Sequence, residues 1–317
     1  MAGQSTELTR RITMPPGGKV YFAAMADGTR VRIGRWEPET KSYRGAVMLL
    51  QGRAEFLEKY FETIHDLLDR GFSVVSFDWR GQGLSDRLDH GRDIDHVEDF
   101  GLRVDDLEFI RQRHFETKLK PPFYAVGHSM GGHLLLRHML RHPRLFEKYV
   151  ALAPMLGISP GPLPHWFVRT LTKVAIFLGL KQRYMLTQKG MRTIAERELA
   201  GIRLTHDAQR RKETYLALQA NPALHLGGVS FGWMNAVFRS CALMLAAAQE
   251  NQKVFPALIL LAEEEFLVDN DRTLEFARTV PIDDWEIIEN GRHELLKETD
   301  EIRQQVLGKI MRFLRAP

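Results

Sequence analysis

An α/β fold, with a mostly parallel central sheet flanked by helices and a helical cap inserted late in the chain, is predicted by three observations. Short continuous apolar runs alternate with amphipathic helical stretches through residues 45–153, and again through 257–314. Runs of that kind suit strands buried on both faces, as in a parallel sheet. The rhythm stops over residues 155–253, where helical spacing dominates. In the first half, the stretch 121–140 reads as a strand, a sharp turn and a helix, with Ser129 at the apex of Gly127-His128-Ser129-Met130-Gly131.

Taken in order, residues 1–18 form an N-terminal arm ending in Pro15-Pro16-Gly17-Gly18. Residues 19–36 read as a hairpin: Val20 to Ala23, a turn at Asp27-Gly28, then alternation through Val31, Ile33 and Trp36. Residues 46–50 are a buried strand. Residues 58–70 have helical spacing (Tyr60, Phe61, Ile64, Leu67, Leu68), stopped by Gly71. A strand at 72–77 leads into Asp78-Trp79-Arg80-Gly81-Gln82-Gly83-Leu84-Ser85-Asp86, and a helix is predicted over 97–114. After the serine turn, 149–153 is a strand. Helices follow at 166–180, 191–199, 207–219 and 230–249, then a strand at 257–261, a helix at 271–279, a strand at 285–288 and a helix at 302–314. The organisation predicted is an arm (1–18), a core (19–154 and 254–317) and a cap (155–253).

A chain of 317 residues, 44% hydrophobic and 26% charged, can bury a large core and is not a disordered polymer. Its single cysteine, Cys241, excludes an intrachain disulfide and reads as a buried structural thiol. Residues 1–13 are polar and lack the apolar centre of an export signal, and no uninterrupted apolar stretch is long enough to span a bilayer. The location expected is cytoplasmic, peripheral to the inner face of the membrane if the cap touches lipid. A net charge of +4 gives no reason to expect nucleic acid as a partner.

The serine turn carries the chemistry. Its glycines stand where a side chain would collide with the neighbouring strand or helix, and the strained apex pushes the Ser129 hydroxyl outward. A serine hydroxyl needs a base. Of twelve histidines, His293 is best placed, in a loop between the last strand and the last helix, at the same sheet edge as the serine turn. His128, aimed elsewhere by the turn, is given a packing role. The third group is a carboxylate from the loop after 257–261, where Glu263, Glu264, Glu265 and Asp269 stand. An oxyanion hole needs two backbone N–H groups. Met130, following the nucleophile, supplies one, and Arg53, in the loop after residues 46–50, the other. The Arg53 side chain is expected in a salt bridge to Glu55 or Glu58, the alternative being contact with a polar substrate head. No metal is implied, because His293-Glu294-Leu295-Leu296-Lys297 lacks the second histidine of a zinc-binding H-E-x-x-H. No organic cofactor is needed.

With Gln51-Gly52-Arg53, Asp78 to Ser85, Gly127 to Gly132, Glu263 to Asn270 and Gly291-Arg292-His293-Glu294 in hand, the chain resembles the monoacylglycerol lipase and bacterial lysophospholipase group of α/β hydrolases. The resemblance implies an α/β-hydrolase fold, the order Ser129, acid, His293, and the acid at Glu265, with Asp269 as the alternate. It departs at Gln51, where many relatives carry histidine, and at Glu265, where many carry aspartate. It implies a serine ester hydrolase acting on a lipid-like small-molecule ester, a lysophospholipid or monoacylglycerol. The other readings are a short-chain carboxylesterase, a serine aminopeptidase and, outside enzymes, a non-catalytic lipid-binding protein.

The cap adds a charge asymmetry. Residues 155–253 hold thirteen Lys/Arg against five Asp/Glu, a net of +8, which leaves −4 for the rest of the chain. Trp166, Phe167, Leu171, Val174, Phe177 and Leu178 recur at helical spacing, with Arg169 and Lys173 on another face. A basic amphipathic helix can lie on an anionic membrane. The plainer expectation is that its apolar face packs on the core. Phe231, Trp233, Met234, Val237 and Phe238 form a second cluster. Trp166, Phe167, Phe231 and Trp233 are the candidates for substrate contact.

Overall fold

Eight strands form one sheet in the order β1-β2-β4-β3-β5-β6-β7-β8. They are β1 (Lys19–Ala24), β2 (Arg30–Trp36), β3 (Gly45–Leu50), β4 (Phe72–Phe77), β5 (Phe123–His128), β6 (Lys148–Leu152), β7 (Phe255–Glu264) and β8 (Ile282–Arg292). The computed structural model describes residues 10–40, 42–87, 94–159, 163–186, 188, 190, 193–250 and 254–315. The first nine residues of the arm and the opening of the 191–199 helix lie outside them. β1 and β2 pair antiparallel, as do β2 and β4, and every later pairing is parallel.

The central strands are buried from end to end, as continuous apolar runs require. Alternation splits them between two cores. Ala46, Met48 and Leu50 face one cluster, with Val104, Leu134, Leu135 and Phe276, while Val47 and Leu49 face the other, with Ile64, Leu67, Leu307 and Ile310. The helices covering these faces are α1 (Phe61–Asp69), α2 (Gly101–Ile110), α3 (Met130–Arg141), α8 (Asn270–Thr279) and α9 (Asp300–Arg315).

Two elements differ from expectation. The helix predicted over 97–114 begins at Gly101 and runs on as a wider π-type turn over Arg111–Glu116. Its first residues are drawn away because Asp95 bridges Val229 of the cap and the Asp99 carboxylate accepts the Gly101 N–H. β8 extends well beyond 285–288. As the edge strand it buries few side chains, so its apolar pattern is weak.

Between β6 and β7 the described residues form α4 (His165–Phe177), α5 (Ile194–Gly201), α6 (Ala208–Ala220) and α7 (Phe231–Glu250). Met155 to Ile158 still belong to the core side: the Met155 N–H donates to the Ser129 carbonyl, and Ile158 bridges Val268. α7 is long and apolar enough to match a membrane span by composition. One face of it is buried in the fold, through Trp233, Ala236, Val237, Ser240, Met244 and Ala248. α4 reverses the plainer expectation. Its inner face is small (Val168, Thr172, Ala175), while Trp166, Phe167, Val174, Phe177 and Leu178 are exposed.

Candidate active site

The path from β5 into α3 is too tight for side chains at its glycines. A Cβ on Gly131 would lie 2.5 Å from the carbonyl oxygens of Leu50 and Gln51, and one on Gly127 would lie 2.7 Å from the Gly131 carbonyl. The end of β3 therefore presses directly on the first turn of α3. Ser129, between them, has φ 52° and ψ −113°, a conformation that a residue with a Cβ adopts only when its surroundings force it. Its N–H donates to the Leu152 carbonyl at 2.9 Å, which pins the apex to β6.

His293 follows the end of β8, and its Nε2 lies 2.9 Å from Ser129 Oγ. Its Nδ1 lies 2.7 Å from Glu265 Oε2. The other oxygen of Glu265 accepts the N–H groups of Leu267 at 2.8 Å and Val268 at 3.2 Å. Burial alone would raise the Glu265 pKa, but His293 and these two N–H groups outweigh it and hold the carboxyl below its ordinary value. An ionised carboxylate opposite Nδ1 makes that nitrogen the donor and leaves Nε2 to accept the serine hydroxyl. Asp269 is not at His293. It caps α8, accepting the N–H groups of Asp271 and Arg272 at 3.0 and 3.2 Å, and it stands 3.6 Å from His165.

The two expected oxyanion donors come from the start of α3 and from the loop after β3. Met130 is the first residue of α3, so its N–H has no acceptor within the helix. Arg53 sits in the loop after β3, which is held at three points. The Gly52 N–H donates to the Glu55 carboxylate, the Ala54 N–H to Gln82 Oε1 at 2.7 Å, and Trp79 Nε1 to the Gln51 carbonyl at 2.8 Å. The Arg53 side chain does not meet Glu55 or Glu58 as expected. It pairs with Asp95 at 3.1 Å, donates to the Gly227 carbonyl and lies over the Trp233 ring. Both expected partners are taken: Glu55 turns inward to Lys59 and Tyr60, and Glu58 binds Arg32 through both oxygens.

Sequence reasoning missed the supports of this loop. Asp78 accepts the N–H groups of Leu57 and Leu84 and pairs with Arg32, fixing the turn from which Trp79 and Gln82 reach across. The signal was a glycine-punctuated polar run directly after a buried strand, quoted above without roles. Glu264, one of the four carboxylates after 257–261, pairs with Arg292 at 2.9 Å and His206 at 3.3 Å, linking the end of β8 to the cap. A packing role also understates His128, whose Nε2 lies 2.9 Å from the His293 carbonyl.

The cap candidates divide. Trp233 is buried against Phe100 with its ring beneath Arg53 of the loop after β3, and Phe231, two residues earlier, is buried too. Trp166 and Phe167 stack edge to face on the first turn of α4, exposed to solvent. Cys241 is half-buried rather than buried as expected; its Sγ lies 3.6 Å from the Met155 carbonyl, and desolvation pushes the thiol up to about 12. Among the described residues, no cluster of three or more His, Cys, Asp or Glu side chains is arranged to hold a metal ion.

The chain is similar to known proteins along most of its length. The family described as serine aminopeptidase S33 matches residues 41–300. A probable lysophospholipase L2 of Haemophilus influenzae is 30% identical over 284 residues, covering 88% of this chain and 86% of the relative. Lysophospholipase L2 of Escherichia coli is 30% identical over 84% of this chain and 79% of its own. Among solved structures, a soluble variant of monoglyceride lipase from Saccharomyces cerevisiae superposes with a TM-score of 0.76 at 19% identity, covering 96% of both chains. A monoacylglycerol lipase of Paleococcus ferrophilus gives 0.68 at 19% identity, over 93% of this chain and 98% of that one. Sheet order, serine turn and sequence matches agree: the chain belongs to the serine aminopeptidase S33 family of α/β hydrolases.

Proposed function

We propose that this protein is a serine hydrolase that cleaves carboxylic esters of monoacyl lipids, lysophospholipids or monoacylglycerols, through an acyl-enzyme. The observation that carries the reading is the chain of short contacts from Glu265 through His293 to Ser129 Oγ at the strained turn. In this reading Ser129 attacks the ester carbonyl while His293 Nε2 takes its proton, and Glu265 stabilises the imidazolium. The N–H groups of Arg53 and Met130 bind the oxyanion. His293 then returns the proton to the leaving alcohol, and water, activated by the same nitrogen, releases the fatty acid and frees Ser129.

The lipid substrate is supported by the names of the relatives, lysophospholipase L2 and monoglyceride lipase. It is also supported by the outward apolar face of α4, where Trp166 is 68% exposed and Phe177 89%. With the cap's +8 charge, that face suits contact with an anionic lipid surface. The family's description raises aminopeptidase activity, which needs a carboxylate to hold the substrate amine. The carboxylates around the site are occupied: Glu55 and Glu294 by Lys59, Asp95 by Arg53 and Arg103, Glu265 by His293.

Intact mass after fluorophosphonate treatment, beside Ser129→Ala, tests the nucleophile. One adduct on the wild type and none on the variant is expected, followed by fatty-acid release from lysophosphatidyl and monoacylglycerol substrates. Folded wild-type protein that takes no label overturns the hydrolase reading. A labelled protein that cleaves aminoacyl amides and no lipid ester overturns the substrate class.

A further inference from the structure

Beside the serine turn lies a group of ionisable side chains that the reaction above leaves without a task. Glu55, Lys59, Tyr60, His128 and Glu294 are each at least nine-tenths buried. They come from three segments: the oxyanion loop with the short helix after it, the serine turn, and the histidine loop. Lys59 Nζ bridges Glu55 at 2.7 Å and Glu294 at 2.6 Å. Thr63, Leu296 and Lys297 complete the walls.

Donor counting fixes the charge of His128. Its Nε2 lies 2.9 Å from the carbonyl oxygen of His293, which can only accept, so Nε2 carries a hydrogen. Its Nδ1 lies 3.1 Å from Glu55 Oε2. That carboxylate also receives the Lys59 ammonium, the Tyr60 hydroxyl at 2.6 Å and the Gly52 N–H. A group facing so many donors is ionised. Burial alone would raise the Glu55 pKa, yet Lys59 and His128 hold it well below the carboxylate range. Opposite an ionised acceptor, Nδ1 is a donor too, and a ring that donates from both nitrogens is an imidazolium. Burial opposes that charge, and the Glu55 carboxylate, with Glu294 behind it, reverses the effect and raises the His128 pKa. Lys59 and His128 then balance Glu55 and Glu294, while Lys297 in the wall faces Glu62 at 3.7 Å, so that each buried cation has an acidic partner.

We propose that Glu55 and a doubly donating His128 form a positioning relay that joins the oxyanion loop to the loop of the catalytic base. Glu55 grips the Gly52 N–H, one residue before the proposed donor Arg53. Through His128 the same carboxylate holds the backbone carbonyl of His293, the residue whose ring faces Ser129. The two parts of the site that must act on one carbonyl in the same instant are thus fixed to a single buried carboxylate. Neither relay residue has a part in the proton transfers themselves. Errors of about 1 Å in such geometry cost on the order of 100-fold in rate.

The relay rests on Ser129 and His293 acting as proposed, and its test is separable from theirs. In wild-type protein with ¹⁵N-labelled histidine, assigned by difference from His128→Gln, both ring nitrogens of His128 are expected to stay protonated at pH 8. A neutral His128 ring at that pH overturns the relay, whatever the fate of the hydrolase reading. In Glu55→Gln and His128→Gln, kcat and the rate of fluorophosphonate labelling are expected to fall together by about 10–100-fold, with KM within about threefold. Folded variants that label at the wild-type rate, or that raise KM with kcat unchanged, overturn it while leaving the nucleophile standing. If the variants do not fold, the wild-type spectrum decides. Wild-type protein that takes no label fails the hydrolase reading instead.

Discussion

α3 and α4 are helices of similar length, 12 and 13 residues, and both carry an apolar stripe at helical spacing. α3 buries its stripe: Leu134, Leu135, Leu136 and Met139 are fully covered by the sheet and its neighbours. α4 turns most of its stripe outward and packs on α7, with Val168, Leu171 and Ala175 joining the core. Periodicity states that a helix has an apolar face; it does not state what covers that face. Around α3, charge is buried and paired so that geometry is fixed. On α4, apolar surface is left open beside the exposed Arg169 and Lys173. In the proposed reading, one side is built for chemistry and the other for contact with a surface.

The largest effect expected separates these two jobs. Ser129→Ala is expected to lower ester turnover by at least about 10⁴-fold and leave binding to anionic liposomes unchanged. Loss of both together would break the division. Next comes the acid. Glu265→Gln, which removes the charge opposite His293 Nδ1, is expected to cost about 10³–10⁴-fold in kcat. Asp269→Asn, which keeps a capping side chain on α8, is expected to stay within a few-fold of wild type. Steady-state kinetics on both variants gives the order, and the reverse order would transfer the acid to Asp269.

The helices themselves can be compared by truncation. Leu135→Ala removes packing from a fully covered site and is expected to cost about 2–5 kcal/mol in denaturant unfolding. Phe177→Ser, at a position 89% exposed, is expected to leave stability within about 0.5 kcal/mol. It is expected to weaken liposome binding by about tenfold, because a phenyl ring contributes on the order of 1.5–3 kcal/mol when it leaves water. Large destabilisation by Phe177→Ser would show that the α4 face is covered after all.

The same contrast explains what could be read from sequence. Central strands and α3 were legible because burial on both sides leaves unbroken apolar runs and stripes. Ser129 and His293 were legible because a turn of that shape tolerates few residues and the topology returns one histidine loop to its edge. Glu265 was legible only alongside Asp269, since both carboxylates follow β7 and only the fold shows that Asp269 is spent on capping α8. The partners of Arg53, the inward turn of Glu55, and the supports Asp78, Trp79 and Gln82 were not legible. Each is a long-range polar contact, and polar residues carry no periodicity that announces their partner. The exposure of α4 was misread for the reason α3 was read correctly: a stripe is usually covered.

The smallest effect expected probes the cost of burying charge on the chemical side. Lys297 is 7% exposed, and burial pushes its pKa down to about 8, against the pull of Glu62. An unfolded lysine keeps its proton to about 10.4. Between those values the unfolded chain binds more protons than the folded one, so this group makes stability rise with pH. Its unfavourable contribution is fully present below about pH 8 and is relieved toward pH 10. Lys297→Met keeps most of the stem's volume and removes the charge, while Glu62 retains Arg210 at 2.6 Å. The variant is expected to be more stable than wild type at pH 7 by about 1–3 kcal/mol, with the difference shrinking as pH climbs from 8 to 10. Urea unfolding at several pH values checks it. A variant less stable at pH 7 would mean that the ammonium is needed by Glu62, and that this side of the molecule gains more from pairing its charges than it loses by burying them.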